Sequence, residues 1–187
     1  MTNRISLYEK AHFGIIRLVH ETLYRVAVNP YDWLRETGVV AGQDVLEVGC
    51  GPGFFTIPAA ELVGDRGHVL TLDNNPAAVE YVGRKITRLG AKNVEVVLED
   101  AAHTGLPEGS QDVVFLYGVI HALWNNIDEV LAETHRVLKP GGTLSIGSSK
   151  VPRAGIIETV TESKLFHLVG ETKHVVNFES LPEVSQS

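Results

Sequence analysis

The chain has 187 residues, of which 44% are hydrophobic and 21% are charged, as expected of one globular domain with one core. The formal net charge of −7 disfavours nucleic acid as a partner, because bulk electrostatics repel the phosphate backbone. The one cysteine, Cys50, excludes an intrachain disulfide and a metal site built on several thiolates, and we expect no metal.

Neither a membrane span nor a secretion signal is expected. The longest apolar stretch, residues 113–124, is too short to cross a bilayer and contains His121. The first ten residues carry scattered charge in place of an apolar run. We therefore expect a cytoplasmic protein without a membrane partner.

The sequence pattern of residues 1–38 predicts an N-terminal helical segment that precedes the main domain. Apolar residues recur at helical spacing over residues 9–27, Asn29-Pro30 interrupts the pattern, and a short helical piece follows over residues 31–37.

From residue 44 onward, short runs rich in Val, Ile and Leu alternate with stretches of helical length. The apolar runs predict strands over residues 44–49, 68–73, 93–100, 111–118 and 142–147. The stretches between them predict helices over residues 54–63, 76–89 and 126–138, with Pro140 and Gly141-Gly142 ending the last helix. This alternation is typical of a parallel sheet covered by helices on both faces.

The C-terminal part of the chain has a different pattern. A helix over residues 156–163 is followed by strand-like runs over 164–169 and 173–179, which Gly170-Glu171-Thr172 joins into a β-hairpin. We expect the main domain to span residues 39–180 and residues 181–187 to form a tail.

The most informative segment is VLEVGCGPGFFT, residues 45–56, in which a buried strand leads through a glycine-rich turn into a helix. Glycines at 49, 51 and 53 let a ligand approach the backbone where a Cβ would block it. The free N–H groups at the start of the helix favour a carboxylate or a phosphate. Dinucleotide sites have G-x-G-x-x-G, but Phe54 stands where that pattern needs its third glycine.

With Glu47 two residues before Gly49, the turn resembles the first motif of the class I S-adenosylmethionine-dependent methyltransferases. The resemblance covers roughly residues 40–179 and is strongest to the small-molecule and quinone-biosynthesis subgroup. It implies an α/β, Rossmann-like fold: a seven-stranded, mostly parallel sheet with a C-terminal antiparallel β-hairpin and helices on both faces. It also implies S-adenosyl-L-methionine as the cofactor and S-adenosyl-L-homocysteine as the product.

The resemblance further implies cofactor contacts at the ends of successive strands. Asp73 would accept hydrogen bonds from both ribose hydroxyls, with Asn74 against the adenine. Asp100 would accept from the adenine amino group, and the Ala101 backbone N–H would reach the ring. The rest of the expected cofactor set comprises Glu47, Gly49, Cys50 as a small spacer, Gly51, Gly53, Phe54, Asn75 and, at the methionine amino group, Tyr117 and Gly118.

His121 is the candidate catalytic residue. Methyl transfer from a sulfonium needs mainly alignment of the reacting atoms, together with removal of a proton from the acceptor. His121 follows the fourth predicted strand by a few residues, and an ordinary pKa of about 6.5 suits a general base. The alternative is a histidine that orders the loop or contacts the substrate, and Trp124 either lines the acceptor pocket or anchors the next helix.

The sequence does not name the methyl acceptor. Residues 147–153 form a short connection where relatives often insert substrate-binding elements, so we expect an open acceptor site or one completed by residues 1–38 or a second subunit. The N-terminal segment, with Tyr8, His12 and His20, is either a lid over the cofactor or a helix packed on the surface. A small-molecule acceptor is favoured; the alternatives are a protein or RNA methyltransferase and a non-catalytic cofactor-binding partner subunit.

Overall fold

A computed structural model describes residues 13, 14, 18, 28–148 and 150–182 of the chain. Phe13, Gly14 and Leu18 are helical, whereas the remainder of the helix predicted over 9–27, including Tyr8, His12 and His20, lies outside the described residues. Helix α1 (Pro30–Thr37) confirms the short helix predicted over 31–37. Asn29 caps it by accepting a hydrogen bond from the Tyr31 backbone N–H (3.2 Å).

The main domain follows the predicted alternation of strands and helices. Its elements are β1 (Asp44–Val48), α2 (Thr56–Val63), β2 (His68–Asp73), α3 (Pro76–Leu89), β3 (Val94–Leu98), β4 (Gln111–Tyr117), α4 (Ile120–Leu123), α5 (Ile127–Val137), β5 (Leu138–Gly147), α6 (Arg153–Glu162), β6 (Phe166–Glu171) and β7 (Val176–Ser180). The four-residue helix α4 was not predicted from the sequence.

In the described part of the chain, the strands form a seven-stranded sheet in the order β3-β2-β1-β4-β5-β7-β6. Strands β1 to β5 are parallel, and β7 pairs antiparallel with both β5 and β6. The predicted fold class, a mostly parallel Rossmann-like sheet with a C-terminal antiparallel hairpin, is confirmed.

Helices cover both faces of the sheet, which explains why its strands read as continuous apolar runs. On one face, Val45 belongs to a buried cluster with Leu34 of α1 and Ala59 of α2. On the other face, Leu46 belongs to a buried cluster with Leu131 of α5 and Ile156 of α6. Alternate residues of the same strand therefore supply two separate cores.

Two predicted boundaries were wrong. The helix predicted over residues 126–138 ends at Val137, but the strand predicted to begin at residue 142 begins at Leu138, which has extended backbone (φ −71, ψ 139). Strand β5 begins there, and its pairing with β4 shifts between Gln111 and Val113 to accommodate the extra residues. The hairpin does not turn at Gly170-Glu171-Thr172, since β6 continues to Glu171. The turn is closed by the Thr172 N–H, which donates to the Val175 carbonyl (2.9 Å).

No helix among the described residues is long and apolar enough to cross a membrane.

Candidate functional site

The carboxyl edge of the sheet collects most of the residues that the sequence singled out. Strands β1 to β5 are parallel, so the loops that follow them leave the sheet at one edge. Strand β7 begins at the same edge, because Val176 pairs with Ile146 near the end of β5. The chain passes from β1 to β2 on one side and returns to β4 on the other. In open α/β sheets, such a change of direction opens a crevice in which ligands bind.

The glycine turn between β1 and α2 is held against β2. The backbone N–H groups of Gly49 and Cys50 both donate to the Leu72 carbonyl (2.8 and 3.0 Å). A Cβ at Gly49 would lie 2.8 Å from the Val119 side chain, whereas a Cβ at Gly51 would meet nothing within 4 Å. Packing therefore explains the absence of a side chain at Gly49, while the space at Gly51 is open to a ligand.

Asp73 at the end of β2 links this turn to the next helix. Its Oδ2 accepts from the Gly51 N–H and its Oδ1 from the Asn75 N–H, both at 2.9 Å. Burial raises the pKa of Asp73, although these hydrogen bonds act in the opposite direction. Oδ2 also accepts from the Cys50 thiol (3.9 Å), whereas Oδ1 retains a further lone pair for an external donor. Asn74 is exposed beside it, and the Asn75 side chain caps α3 by accepting from the Ala77 N–H (2.9 Å).

Glu47 lies beneath the turn with its side chain buried. Its Oε2 accepts hydrogen bonds from the hydroxyls of Thr56 (2.5 Å) and Thr71 (2.7 Å). Burial raises the pKa of Glu47 to about 7, although these two bonds oppose the increase. Lys85 of α3 holds the turn as well, donating from Nζ to the Gly53 carbonyl (2.5 Å). Thr56, Thr71 and Lys85 were not predicted as site residues, because each reaches the turn from a different element.

The loop after β3 carries Asp100 and Ala101. Asp100 is exposed, and its Oδ1 accepts from the Ala102 N–H (2.8 Å). Ala101 is buried. Glu133 of α5 fixes the far side of the loop, accepting at Oε1 from the N–H (2.8 Å) and the hydroxyl (2.5 Å) of Thr104. The loop is thus held by its own Asp100 carboxylate and by Glu133 of the opposite helix.

Tyr117 and Gly118 end β4, and only their backbone faces the edge. The Tyr117 side chain is buried, its hydroxyl is hydrogen-bonded to the Thr37 hydroxyl, and burial raises its pKa. Gly118 donates its N–H to the Gly147 carbonyl (2.7 Å), and a Cβ on Gly118 would meet nothing within 4 Å. We call Tyr117, Gly118 and Gly147 the floor of the site.

Cys50, Phe54 and Phe55 pack beside the turn. Burial raises the pKa of the Cys50 thiol, which disfavours the thiolate that a nucleophile needs. Phe55 is buried, and Phe54 packs edge to face on it with ring centroids 5.0 Å apart. Phe13 of the N-terminal segment shares a buried cluster with Cys50 and lies 5.6 Å from the Tyr81 ring. Part of that segment therefore packs near the turn.

His121 lies on α4 at the rim of the floor and is exposed. Its Nε2 lies 3.0 Å from Nζ of Lys150, in the loop after β5. Burial and the Lys150 charge lower the pKa of His121, while a hydrogen bond to the Gly118 backbone opposes them. The lowered pKa favours the neutral imidazole. No sequence pattern indicated Lys150. Trp124, which follows α4 directly, is 37% exposed.

Within the described ranges, no group of three or more His, Cys, Asp or Glu side chains is placed to hold a metal ion.

This fold, with a glycine turn after β1 and acidic residues after β2 and β3, defines the class of Rossmann-like methyltransferases. The sequence pattern of the methyltransferase domain family matches residues 45–142. That match spans more than half of the chain, so the chain belongs to this family, and the resemblance inferred from the sequence is confirmed.

Three similar proteins illustrate the relationship. An aklanonic acid methyltransferase from Streptomyces sp. (strain C5) is 34% identical over 123 residues, which cover 62% of this chain and 52% of that protein. A demethylmenaquinone methyltransferase from Listeria monocytogenes serotype 4a is 34% identical over 64% of this chain and 52% of its own length. The structure of a SAM-dependent methyltransferase from Aquifex aeolicus superposes with a TM-score of 0.69 at 28% identity, covering 81% of this chain and 88% of that one. The chain thus spans about half the length of these two curated relatives.

Proposed function

We propose that the protein binds S-adenosylmethionine and transfers its methyl group to a small-molecule acceptor. The observation that carries this proposal is the meeting of the glycine turn, Asp73, Asp100 and the floor at one edge of the sheet. The names of the two curated relatives, which refer to aklanonic acid and demethylmenaquinone, support a small acceptor over a protein or an RNA.

The residues at this edge fit the cofactor. Asp73 has acceptor capacity for the ribose hydroxyls, because its carboxylate is already oriented by Gly51 and Asn75. Exposed Asp100 is free to accept from the adenine amino group. The open space above Gly51 and Gly118 leaves room for the methionine part. When bound, the cofactor supplies an electrophilic methyl group on a sulfonium.

Glu47 acts from below in this proposal. Its carboxyl is fully enclosed by Thr56 and Thr71, so it holds the turn in place without touching the ligand. The side chains of Cys50 and Phe54 act as spacers beside the turn, and Gly49 and Gly53 contribute their backbone shape. Tyr117 contributes its carbonyl, since its phenol is buried and bonded to the hydroxyls of Thr37 and Ser145.

We assign proton removal to His121. Its neutral Nε2 is a hydrogen-bond acceptor beside the Lys150 ammonium. The Lys150 ammonium donates to the one lone pair of Nε2, so it must move off that atom before an acceptor O–H gives up its proton there. Lys150 then stabilises the negative charge that develops on the acceptor oxygen. The pair suits an acceptor whose nucleophile is a hydroxyl or another group that must lose a proton.

We further propose that the protein acts in the cytoplasm without nucleic acid or membrane partners, with residues 39–180 as the catalytic domain. The acidic net charge of −7 supports the absence of nucleic acid. Whether a homodimer forms is checked by light scattering.

The test follows a labelled methyl group. The protein and labelled S-adenosylmethionine are incubated with a cell extract divided into small molecules, protein and RNA. We expect label in the small-molecule fraction, lost with Asp73→Ala and retained with Asp65→Ala, a control at an exposed aspartate just before β2. Label in the protein or RNA fraction would contradict the small-molecule acceptor. No label in any fraction, with cofactor binding intact, would indicate a non-catalytic partner subunit.

A further inference from the structure

A second histidine at the carboxyl edge is oriented by a carboxylate. His174 lies in the β6–β7 turn, with Nδ1 2.8 Å from Oε1 of Glu36 on α1. Oε2 of Glu36 accepts from the His174 backbone N–H (2.9 Å) and from the Thr172 hydroxyl (2.5 Å). Burial acts to raise the pKa of Glu36, but the hydrogen bonds from Thr172 and His174 outweigh it and hold the pKa below its ordinary value.

This geometry fixes which nitrogen of His174 is available. An ionised carboxylate only accepts hydrogen bonds, so Nδ1 must carry the proton that it donates to Glu36. In the neutral imidazole, Nε2 then has a free lone pair. Nε2 makes no hydrogen bond to any described residue, and the side chain is 22% exposed. It can therefore accept a hydrogen bond from a ligand.

The ring of His174 adjoins the floor. It stacks on Trp33 with centroids 5.4 Å apart and an interplanar angle of 17°. Trp33 in turn packs edge to face on Tyr117 (5.3 Å) and lies so close to Gly147 that a Cβ there would clash with its ring. His174 is thus one aromatic ring away from the ends of β4 and β5, where His121 and Lys150 also lie.

The turn does not depend on the imidazole for its attachment. Arg153, at the start of α6, donates from its two terminal nitrogens to the carbonyls of Thr172 and Lys173, each at 2.6 Å. Asn177 Nδ2 donates to the Glu36 carbonyl (2.7 Å), which joins β7 to α1 independently. Loss of the imidazole alone therefore leaves the Arg153, Asn177 and His174 backbone contacts that attach this turn.

We propose that Nε2 of His174 accepts a hydrogen bond from the methyl acceptor, in addition to the contact that the acceptor makes with His121. This inference rests on the proposed function and narrows it. The acceptor is a small molecule with at least two O–H or N–H groups: one is methylated near His121, and the other binds His174. Trp33, which lies between His174 and Tyr117, gives the acceptor an aromatic surface to contact.

Two substitutions of His174 distinguish binding of the methyl acceptor from attachment of the β6–β7 turn to Glu36. His174→Asn retains an amide near the position of Nδ1, so it keeps a donor to Glu36, but it has no atom at the position of Nε2. His174→Gln places an amide near Nε2 instead. The matched control is His167→Asn on the same hairpin, where the histidine lies 3.9 Å from Glu179 and faces no residue of the floor.

The probe is the small-molecule fraction of a cell extract with labelled S-adenosylmethionine, diluted in steps to give an apparent kcat/KM. For His174→Asn we expect about a tenfold loss or more, with wild-type affinity for S-adenosylhomocysteine and a wild-type unfolding temperature. His174→Gln should recover part of the loss, and His167→Asn should behave as wild type.

Wild-type transfer by His174→Asn overturns this inference while the proposed function stands. A loss of transfer that accompanies lower unfolding temperatures in both His174 variants also overturns it, because it shows a structural role. Absence of transfer by the wild-type chain overturns the proposed function itself, so the two failures are distinguishable.

Discussion

At the scale of single residues, Asp73 shows how one side chain is prepared for binding before a ligand arrives. Its two oxygens are held by the backbone N–H groups of Gly51 and Asn75, one from the turn before α2 and one from the start of α3. The carboxylate is therefore rigid, and little conformational entropy is lost when it binds donors.

Asp73→Ala should weaken S-adenosylhomocysteine binding by about tenfold to a hundredfold, because a charge-assisted hydrogen bond contributes about 1.5–3 kcal/mol. Calorimetry with the purified protein measures this affinity. Asp65→Ala is the control and should bind as wild type. An Asp73→Ala variant with wild-type affinity would show that the cofactor lies elsewhere.

Lys150→Met should change the pH dependence of turnover. The Lys150 charge helps burial to lower the pKa of His121, so its removal raises that pKa. Because neutral His121 is the active form, the acidic limb of the kcat/KM profile, which reports the free enzyme, should move to higher pH. Lys173→Met, a substitution in the β6–β7 turn, should leave the limb in place. An unchanged profile in Lys150→Met would remove His121 from proton transfer, as would unchanged turnover in His121→Ala.

At the scale of elements, α5 supports the loop that carries Asp100. Glu133 binds Thr104 twice and also accepts from Arg136 at two positions, each 2.7 Å. The Arg136 hydrogen bonds lower the pKa of Glu133 to about 2, with Thr104 contributing and burial opposing the shift. The loop after β3 is therefore coupled to α5 through a single ionised carboxylate.

Glu133→Gln should lower the free energy of unfolding at neutral pH. A carboxyl with a lowered pKa stabilises the fold above its unfolded pKa of about 4.3 and loses that contribution as pH falls toward 2. The difference between wild type and Glu133→Gln should thus be full near pH 6 and shrink below pH 4. Urea unfolding near pH 6 and below pH 4 measures this difference in the free energy of unfolding. Glu129→Gln, at an exposed position on the same helix, should show no such trend.

The elements were predictable where the signal is local. Buried strands such as β2 (His68–Asp73) show continuous apolar runs, and α3 was predicted with its observed bounds because Asn75, Pro76 and Gly90 mark its ends. The start of β5 was missed, because its extended backbone follows from pairing with β4. The turn at Thr172 was missed because a strand's end depends on its partner.

The residues of the site were likewise predictable only where the sequence signal is local. The glycine turn, Asp73 and Asp100 follow their strands directly, so the sequence placed them at the carboxyl edge. Lys85, Lys150 and the Glu36–His174 pair come from distant segments, and Glu36 and His174 are separated by 138 residues. Only the folded sheet brings such groups together. For this reason the assignments of His121 and of the cofactor set remain proposals that the variants above test.

At the scale of the whole molecule, the two edges of the sheet differ. The carboxyl edge has the glycine turn, Asp73, Asp100, His121 and His174. The amino edge has an open groove of about 920 Å³ lined by residues such as Glu61, Asp65, Gly90 and Asn93. At that edge, Asn93 Nδ2 joins the start of β3 to the end of α2 by donating to the carbonyls of Ala60 and Gly64, each at 2.9 Å. Because the residues proposed to bind the cofactor lie at the carboxyl edge, we expect the ligand to stabilise the sheet from that edge.

S-adenosylhomocysteine should raise the unfolding temperature. At a concentration one hundred times its Kd, a ligand stabilises the native state by about 2.7 kcal/mol, which corresponds to a shift of roughly 5–10 °C for a domain of this size. Thermal unfolding at fixed ligand concentration measures the shift. Asp73→Ala should lose most of it at the same concentration, and an equal shift in that variant would contradict the proposed site.

The position of β7 has a consequence for the order in which the chain can fold. Val176–Ser180 follows the other six strands of this sheet in the chain, yet it lies inside the sheet between β5 and β6. During synthesis, β6 emerges from the ribosome before the strand that attaches it to the sheet. Until residue 180 has emerged, β5 and β6 both expose unpaired edges, which are prone to wrong association. The sheet is thus completed only after its other six strands have emerged, and the β6–β7 turn that carries His174 is set in place with it.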